Sequence, residues 1–175
     1  NSTKHISYIM KTQRNILLDP VIGDIGVGMY VNSDIAKYFQ SIFTKTKYLS
    51  ANFFEWSFLN KKDINQYQFL EVVKDLENFS SKNNSTVLIR SIPIKNKLIN
   101  LIASPKGVWS IATPEIKLKT RYHGAGDLTT ALFANYLTQK ISEKKILEGL
   151  TNDIFQIISK KRKKNKFKST SLSSL

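Results

Sequence analysis

The chain has no cysteine and only two histidines, His5 and His123, among its 175 residues. The lack of cysteine excludes disulfide bonds and thiolate metal sites, and two histidines are too few for a histidine-rich zinc centre. No apolar run approaches the ~20 residues needed to span a bilayer, and no secretory signal opens the sequence. These absences favour a protein of a reducing compartment, so we expect a cytoplasmic location and no membrane partner.

Acidic residues are also scarce. Asp and Glu number 13 against 27 Lys and Arg, which gives a formal net charge of +14. Seven of the positive charges lie between Lys160 and Lys168, where no acid occurs, and removing them from the total leaves +7. The last residues form a polar Ser/Thr run with little to bury, so we predict a basic disordered tail at residues 161–175. We expect this tail to bind nucleic acid only weakly and with strong salt dependence, without a specific nucleic-acid partner.

The rest of the chain, residues 1–160, is predicted to form one globular domain. A composition of 41% hydrophobic and 23% charged residues fits a folded protein. Short apolar runs alternate with segments of helical period, which predicts a three-layer α/β fold, a Rossmann-like sheet with flanking helices. The predicted strands are 16–21, 48–51, 86–91 and an antiparallel hairpin of 97–103 and 107–113. The main predicted helices are 33–43, 63–80, 128–140 and 142–160. In the second of these helices one stripe is expected to be buried: Ile64, Tyr67, Leu70, Val73, Leu76 and Phe79.

A glycine-spaced turn, Gly124-Ala125-Gly126-Asp127, opens directly into the third of these helices. Two glycines let the backbone approach a ligand without a Cβ in the way. The free N–H groups of a first helical turn, together with the positive end of the helix dipole, form a place for phosphate. A carboxylate would repel that phosphate, but Asp127 is useful if it takes a proton from a hydroxyl that attacks the phosphate. The alternative interpretation is that Asp127 only caps the helix and the glycines only turn the chain.

A second acidic turn, Asp19-Pro20-Val21-Ile22-Gly23-Asp24, follows the apolar run Ile16-Leu17-Leu18. In an α/β protein this pattern predicts a buried parallel strand with Asp19 at its carboxyl end, where ligands of open α/β sheets bind. Asp19 and Asp24 at such an edge can hold Mg²⁺ through water, or position a nucleotide phosphate through the metal. The alternative is that both acids serve only to form the turn.

Five segments carry a family resemblance through their order and spacing: Asp19-Pro20-Val21-Ile22-Gly23-Asp24, Met29-Tyr30-Val31, Ser50-Ala51-Asn52-Phe53-Phe54-Glu55, Val87-Leu88-Ile89-Arg90-Ser91 and Gly124-Ala125-Gly126-Asp127. The chain resembles the carboxyl-terminal part of the pyridoxal kinases, a family of the ribokinase-like superfamily. The resemblance extends from Ile16 to about Lys160. It implies a three-layer ribokinase-like fold whose sheet is incomplete at the amino-terminal side.

The resemblance also implies an activity. A pyridoxal kinase phosphorylates the 5′-hydroxyl of pyridoxal with ATP in vitamin B6 salvage, and the complete enzyme is commonly a homodimer. Mg²⁺ would accompany ATP, and the family often uses a monovalent cation such as K⁺. Asp127 would be the catalytic base, and the amides of Gly124, Ala125 and Gly126 would form the anion hole. The other implied positions are Asp19, Asp24 and Glu55 around the metal and phosphates, Asn52 beside them, and Tyr30 and Ser91 on the nucleotide side.

Two departures from the family leave alternatives open. Many relatives have Thr at the position of Ala125, so a hydroxyl contact to phosphate is lost while the backbone amide remains. Family members are also much longer than this chain, and the missing amino-terminal portion supplies most of the vitamin pocket. A catalytically inactive remnant or fragment is therefore one alternative. A hydroxymethylpyrimidine kinase of the same superfamily is another, although such enzymes often carry Cys where this chain has Asp127.

Overall fold

The computed structural model describes residues 2–13, 15–116, 124–159 and 167–172. Its strands are β1 (Leu17–Leu18), β2 (Gly23–Asp24), β3 (Gly28–Met29), β4 (Tyr48–Asn52), β5 (Thr86–Ile94), β6 (Lys97–Ser104), β7 (Gly107–Pro114) and β8 (Thr170–Ser171). Within the described residues, one six-stranded sheet has the spatial order β1-β4-β5-β6-β7-β8, and β2 and β3 form a separate hairpin. Strands β1, β4 and β5 pair in parallel, whereas the pairs from β5 to β8 are antiparallel.

Helices cover both faces of the sheet. They are α1 (Ser2–Thr12), α2 (Ser33–Ile42), α3 (Phe53–Leu59), α4 (Phe69–Asn83), α5 (Ala125–Thr138) and α6 (Glu143–Ser159). One hydrophobic cluster joins the sheet to α2, α3 and α4, and a second joins it to α5 and α6. None of these described helices is long and apolar enough to cross a bilayer.

Alternation along the central strands explains the three layers. In β5, Val87 and Ile89 belong to the cluster under α2–α4, while Leu88 between them belongs to the cluster under α5 and α6. In β6, Leu101 and Ile102 divide between the two clusters in the same way. Successive side chains of a strand point to opposite faces, so a strand that is apolar at every position is covered on both sides. The predicted three-layer α/β fold is confirmed.

The parallel strands bring their carboxyl ends to one edge of the sheet. Leu18 of β1 pairs with Leu49 of β4, and Asn52 at the end of β4 pairs with Arg90 of β5. Asp19 follows β1 directly. The residues that leave these three strands therefore meet at the same edge, as expected for parallel strands.

The β2–β3 hairpin sits against α3, and Gly23 allows the close approach. A Cβ at Gly23 would collide with the carbonyl oxygen of Gly28 and would stand 2.6 Å from the ring carbon Cε1 of Phe54. Only a residue without a side chain fits between the two strands and the helix at this point. The hairpin is thereby held next to the carboxyl ends of the parallel strands.

The helix predicted over 63–80 differs from the observed one. Helix α4 begins at Phe69, and residues 64–66 form a turn instead. Leu70 is consequently 55% exposed, although the apolar stripe predicted it to be buried, whereas Leu76 in the same helix is 0% exposed. Tyr67 stays in the core because its hydroxyl accepts a hydrogen bond from Trp56 Nε1 (3.1 Å) and donates one to Asp75 (2.8 Å). These polar contacts hold the segment as a turn against the core and override its helical pattern.

Within the tail predicted for residues 161–175, residues 167–172 contact the rest of the domain. Strand β8 extends the sheet beyond β7, and the Phe167 ring packs edge-on against Phe155 of α6 at 4.9 Å between centroids. The main chain of Ser169 donates to Glu148 at 2.9 Å. Leu172 also packs on the first hydrophobic cluster, so the segment attaches through two apolar side chains and several hydrogen bonds. The other residues of the predicted tail, 161–166 and 173–175, lie outside the described residues.

Two leucines of α4 provide a matched test of this packing. Leu76→Ala should lower the free energy of unfolding by about 2–5 kcal/mol, because it empties a fully buried site. Leu70→Ala, the same chemical change on the exposed face, should cost less than about 1 kcal/mol. Urea unfolding of both variants measures the difference, and equal losses would show that α4 buries another face.

Candidate functional site

A cavity of about 480 Å³ opens where the parallel strands end, beside the start of α5. It is lined by all ten residues that the sequence placed in a site: Asp19, Asp24, Tyr30, Asn52, Glu55, Ser91, Gly124, Ala125, Gly126 and Asp127. These residues come from the loop after β1, the β2–β3 hairpin and the residue after it, the end of β4, α3, β5, and α5 with its N-cap. Their assembly on one cavity is a property of the fold, whereas their individual roles stay predictions.

The amino terminus of α5 is built by the glycine turn. Gly124 is the N-cap residue with φ +84°, in the left-handed region that glycine tolerates, and its carbonyl accepts a hydrogen bond from Leu128 N at 3.0 Å. The first N–H groups of a helix have no acceptor inside it, so those of Ala125 and Gly126 are available to an anion. Asp127 lies in the first turn rather than at the N-cap, and no side chain caps this helix. The interpretation of Asp127 as an N-cap residue is therefore wrong.

An arginine that was not predicted lies beneath this turn. Arg90 Nη1 donates to the carbonyl oxygen of Gly126 at 2.8 Å. Its Nη2 lies 3.4 Å from Asp19 Oδ1 and 3.6 Å from Glu55 Oε2. The residue is 8% exposed, and Nε has no hydrogen-bond partner among the described residues. One sequence signal could have revealed it, because Arg90 interrupts the apolar run of a buried strand and a buried charge needs partners.

A bulge in β5 accompanies this arginine. The register between β5 and β6 shifts between Ile89 and Ile92, and Ser91 has φ +60°. Ser91 N donates to Asn100 Oδ1 (2.9 Å), and Asn100 Nδ2 lies 3.3 Å from Thr151 Oγ1 of α6. A β-bulge re-aims side chains and is common beside functional sites. Here it places Arg90 and Ser91, consecutive residues of one strand, on the same cavity.

The two carboxyl oxygens of Asp19 have different partners: Arg90 contacts Oδ1 and Thr130 contacts Oδ2. Its Oδ2 accepts a hydrogen bond from Thr130 Oγ1 of α5 at 2.6 Å, and Thr130 Oγ1 also lies 3.0 Å from Ser50 Oγ of β4. Burial raises the pKa of the Asp19 carboxyl above its ordinary value, although Arg90 and the Thr130 hydrogen bond act in the opposite direction. Asp127 adds a smaller upward contribution to the same pKa, because a nearby negative charge disfavours ionisation.

Asn52 and Glu55 form a capping box at the start of α3. Asn52 Oδ1 accepts from Glu55 N and Glu55 Oε2 accepts from Asn52 N, both at 2.8 Å. The same two side chains fix the neighbouring hairpin, since Glu55 Oε1 accepts from Ile22 N (3.2 Å) and Asn52 Nδ2 donates to Gly23 O (2.8 Å). Both residues thus have a structural role that explains their positions, and a ligand role would be additional.

Burial also raises the pKa of Glu55, in this case to about 7. Hydrogen bonds from Asn52 and Ile22 and the charge of Arg90 lower the pKa, and Asp19 raises it further, but the loss of hydration has the largest effect. A glutamic acid with this pKa exchanges its proton close to neutral pH.

The predicted metal ligands do not fit direct coordination by three carboxylates. No group of three or more His, Cys, Asp or Glu side chains in the described part of the chain could hold a metal ion. Asp19 and Glu55 instead face the guanidinium of Arg90, and Asp24 Oδ1 accepts from Ile25 N at 2.8 Å. A role of these carboxylates in holding Mg²⁺ through water stays a prediction.

Several lining residues were not predicted from the sequence. They include the apolar Val21 and Val27 near the hairpin, and the α6 residues Leu150, Thr151, Ile154 and Ile158. The apolar α6 side chains have the helical spacing of a core stripe, and nothing in that pattern separates a cavity wall from a packed interior.

The raised pKa of Glu55 predicts a pH-dependent stability. The folded protein holds the Glu55 proton up to about pH 7, and an unfolded glutamic acid releases it near 4.5. The contribution of this proton to stability is therefore complete below pH 4.5 and is lost as the pH rises through 7. Between these values the wild type should lose up to about 3 kcal/mol relative to Glu55→Gln in urea unfolding. Glu71→Gln, on the exposed side of α4, should keep the wild-type profile, and superimposable profiles for wild type and E55Q would contradict the assignment.

No model of a protein family matches the chain. Among curated proteins, the pyridoxal kinase PdxY of Rubrobacter xylanophilus is 24% identical over 148 residues, which are 81% of this chain and 50% of that protein. The chain thus spans about half the length of the curated relative that it matches.

Solved structures resemble the chain more extensively. The pyridoxal kinase of Entamoeba histolytica has a TM-score of 0.79 at 18% identity, covering 98% of this chain and 67% of its own. Plasmodium falciparum PdxK, solved with AMP-PNP and PL, has a TM-score of 0.78 at 18% identity, with coverages of 98% and 69%. A Bacteroides thetaiotaomicron protein assigned as a phosphomethylpyrimidine kinase has a TM-score of 0.79 at 24% identity, with coverages of 91% and 57%. The chain therefore has the ribokinase-like fold that its motifs predicted, and its sequence resembles a pyridoxal kinase.

Proposed function

We propose that residues 1–160 are the nucleotide-side part of an ATP-dependent pyridoxal kinase. One observation carries the proposal: ten site residues predicted from five separate segments line a single cavity, with Asp127 next to the first-turn N–H groups of α5. The similarity to a curated pyridoxal kinase supports the same reaction. A homodimer and a cytoplasmic location stay predictions from the sequence.

The proposed reaction uses a proton acceptor and hydrogen-bond donors to phosphate from this chain. The 5′-hydroxyl oxygen of pyridoxal forms a bond to the γ-phosphorus of ATP, and the bond from that phosphorus to the bridging oxygen breaks, so ADP leaves. Asp127 accepts the hydroxyl proton during the attack. The N–H groups of Gly124, Ala125 and Gly126 donate to the transferring phosphoryl group. Positioning and electrostatics supply most of the rate in such transfers.

The remaining lining residues suit a nucleotide. Leu150, Ile154 and Ile158 offer apolar surface, while Tyr30 and Ser91 offer polar groups. Small-molecule sites typically combine apolar walls with a few polar groups in about 300–1,000 Å³. Mg²⁺ and K⁺ stay predictions from the family resemblance. Mg²⁺ in kinases is held largely by phosphate oxygens and water, so the predicted ion belongs with ATP rather than with a three-carboxylate site.

A second candidate is a hydroxymethylpyrimidine kinase, which the Bacteroides neighbour favours. A third is an inactive remnant or fragment, because the chain spans about half of the curated relative. ATP-dependent phosphorylation of pyridoxal and of hydroxymethylpyrimidine, by this chain and by any longer in-frame product that contains it, separates the three. Transfer to pyridoxal supports the proposal, and preferential transfer to the pyrimidine supports the second candidate. A folded protein that transfers phosphate to neither acceptor in either form supports the remnant.

Replacing the proposed base tests the mechanism. In the active form, Asp127→Asn should lower kcat about 10²–10⁴-fold, because the amide cannot accept the hydroxyl proton. Nucleotide binding should change little, since the N–H groups of the turn remain. Asp34→Asn is the matched control, because Asp34 also lies in the first turn of a helix, α2, but outside the cavity. Turnover of D127N near that of the wild type would refute the role of Asp127.

A further inference from the structure

The charges that line the cavity are unbalanced. Four carboxyl groups face it, those of Asp19, Asp24, Glu55 and Asp127, and Arg90 is the basic side chain among the described lining residues. Phosphate cannot bind next to several carboxylates unless a cation offsets their charge. Either a metal ion supplies that charge or the protein does.

Arg90 occupies the position where such a cation is needed. Its guanidinium lies between Asp19 and Glu55 and contacts the carbonyl oxygen of Gly126 in the anion turn. A Cβ added to Gly126 would stand 3.1 Å from Arg90 Nη1, so the guanidinium packs directly against the turn. The same positive charge therefore contacts the carboxylates and the carbonyl side of the turn, and it lines the same cavity as the N–H groups that are expected to bind an anion.

We propose that Arg90 is the cation of the phosphate site: it replaces a metal ion between Asp19 and Glu55 and donates to the phosphate bound at the Gly124–Asp127 turn. Phosphate binding to this chain consequently does not require a divalent cation. The proposal rests on the proposed function in one respect, that the turn binds phosphate.

The donor inventory of the guanidinium agrees with this role. Arginine has five N–H donors, and the fork formed by its two terminal nitrogens matches phosphate oxygens. One donor of Nη1 is used by Gly126 O, and Nη2 faces the two carboxylates at 3.4 and 3.6 Å. Nε is buried without a partner in the described part of the chain, so the described residues alone do not satisfy the group.

The competing interpretation is that Arg90 only neutralises two buried carboxylates and thereby stabilises the fold. A structural ion pair and a phosphate-binding cation differ in one measurable respect. If Arg90 stands in for a metal, its removal frees Asp19 and Glu55, and Mg²⁺ can then restore phosphate binding. If Arg90 is structural, Mg²⁺ restores nothing.

The experiment is calorimetric titration of the full chain with inorganic pyrophosphate and with ADP, in EDTA and in Mg²⁺. The variants are wild type, Arg90→Gln and Arg90→Lys. Lys62→Gln is the matched control, because Lys62 also contacts two carboxylates, those of Glu71 and Asp75, but lies outside the cavity. Urea unfolding of each variant reports whether it folds.

Wild type and K62Q should bind both probes in EDTA. R90Q should bind about tenfold to a hundredfold more weakly in EDTA, with R90K between the two, and Mg²⁺ should restore much of the loss in R90Q.

Wild-type binding that appears only with Mg²⁺ would overturn the proposal but leave the proposed function standing. The proposal also fails if R90Q is folded and equally weak in both buffers. Absence of wild-type binding in every condition would overturn both proposals. The wild-type comparison and R90K decide the question even where R90Q does not fold.

Discussion

The buried contact of Arg90 with Asp19 and Glu55 constrains the rest of the site. Removing three ionisable groups from water is costly, and the cost is tolerable only if the groups satisfy one another and make further hydrogen bonds. Those further bonds come from Thr130, from the capping box of α3 and from the carbonyl of Gly126. The electrostatic requirement therefore ties the end of β1, the start of α3, strand β5 and the start of α5 to one another.

The sheet changes from parallel to antiparallel pairing at the same place. Strand β5 pairs with β4 in parallel up to Arg90 and pairs with β6 in antiparallel fashion on its other side, where the register shifts after Ile89. A regular strand would send Arg90 and Ser91 to opposite faces. The bulge lets both line the cavity, at the cost of a left-handed φ at Ser91 that a hydrogen bond from its own N–H to Asn100 helps to hold. The antiparallel pairing of β5 with β6 runs on both sides of the bulge, so the bulge accounts for the placement of Arg90 and Ser91 and not for the mixed pairing of the sheet.

Much of this arrangement follows from the sequence, and the exceptions have physical causes. The strand run at Val87–Ile89 and the glycine turn at Gly124 are local patterns, so their positions were predictable. Leu70 was misjudged because its environment depends on distant contacts, since the Tyr67 turn is held by Trp56. The contacts of residues 167–172 are equally non-local, since Phe167 packs on α6. Arg90 belongs to one of the five motifs, but the sequence predicts no role for it, because its partners are 71 and 35 positions away in the chain. Sequence patterns locate elements, whereas the balance of buried charges appears only when the elements are assembled.

The described residues bear more directly on phosphate binding than on the choice of phosphate acceptor. A ribokinase-like fold at 18–24% identity is compatible with more than one phosphate acceptor, as the neighbours assigned to pyridoxal and to phosphomethylpyrimidine illustrate. The cavity wall, in contrast, contains the groups for which we propose a role in phosphate binding: first-turn N–H groups, a carboxylate beside them and a guanidinium beneath them. Recognition of an acceptor ring needs additional surface, and the chain spans only about half of the curated relative. The phosphate binding proposed for this cavity can therefore be measured on this chain, separately from the choice of acceptor.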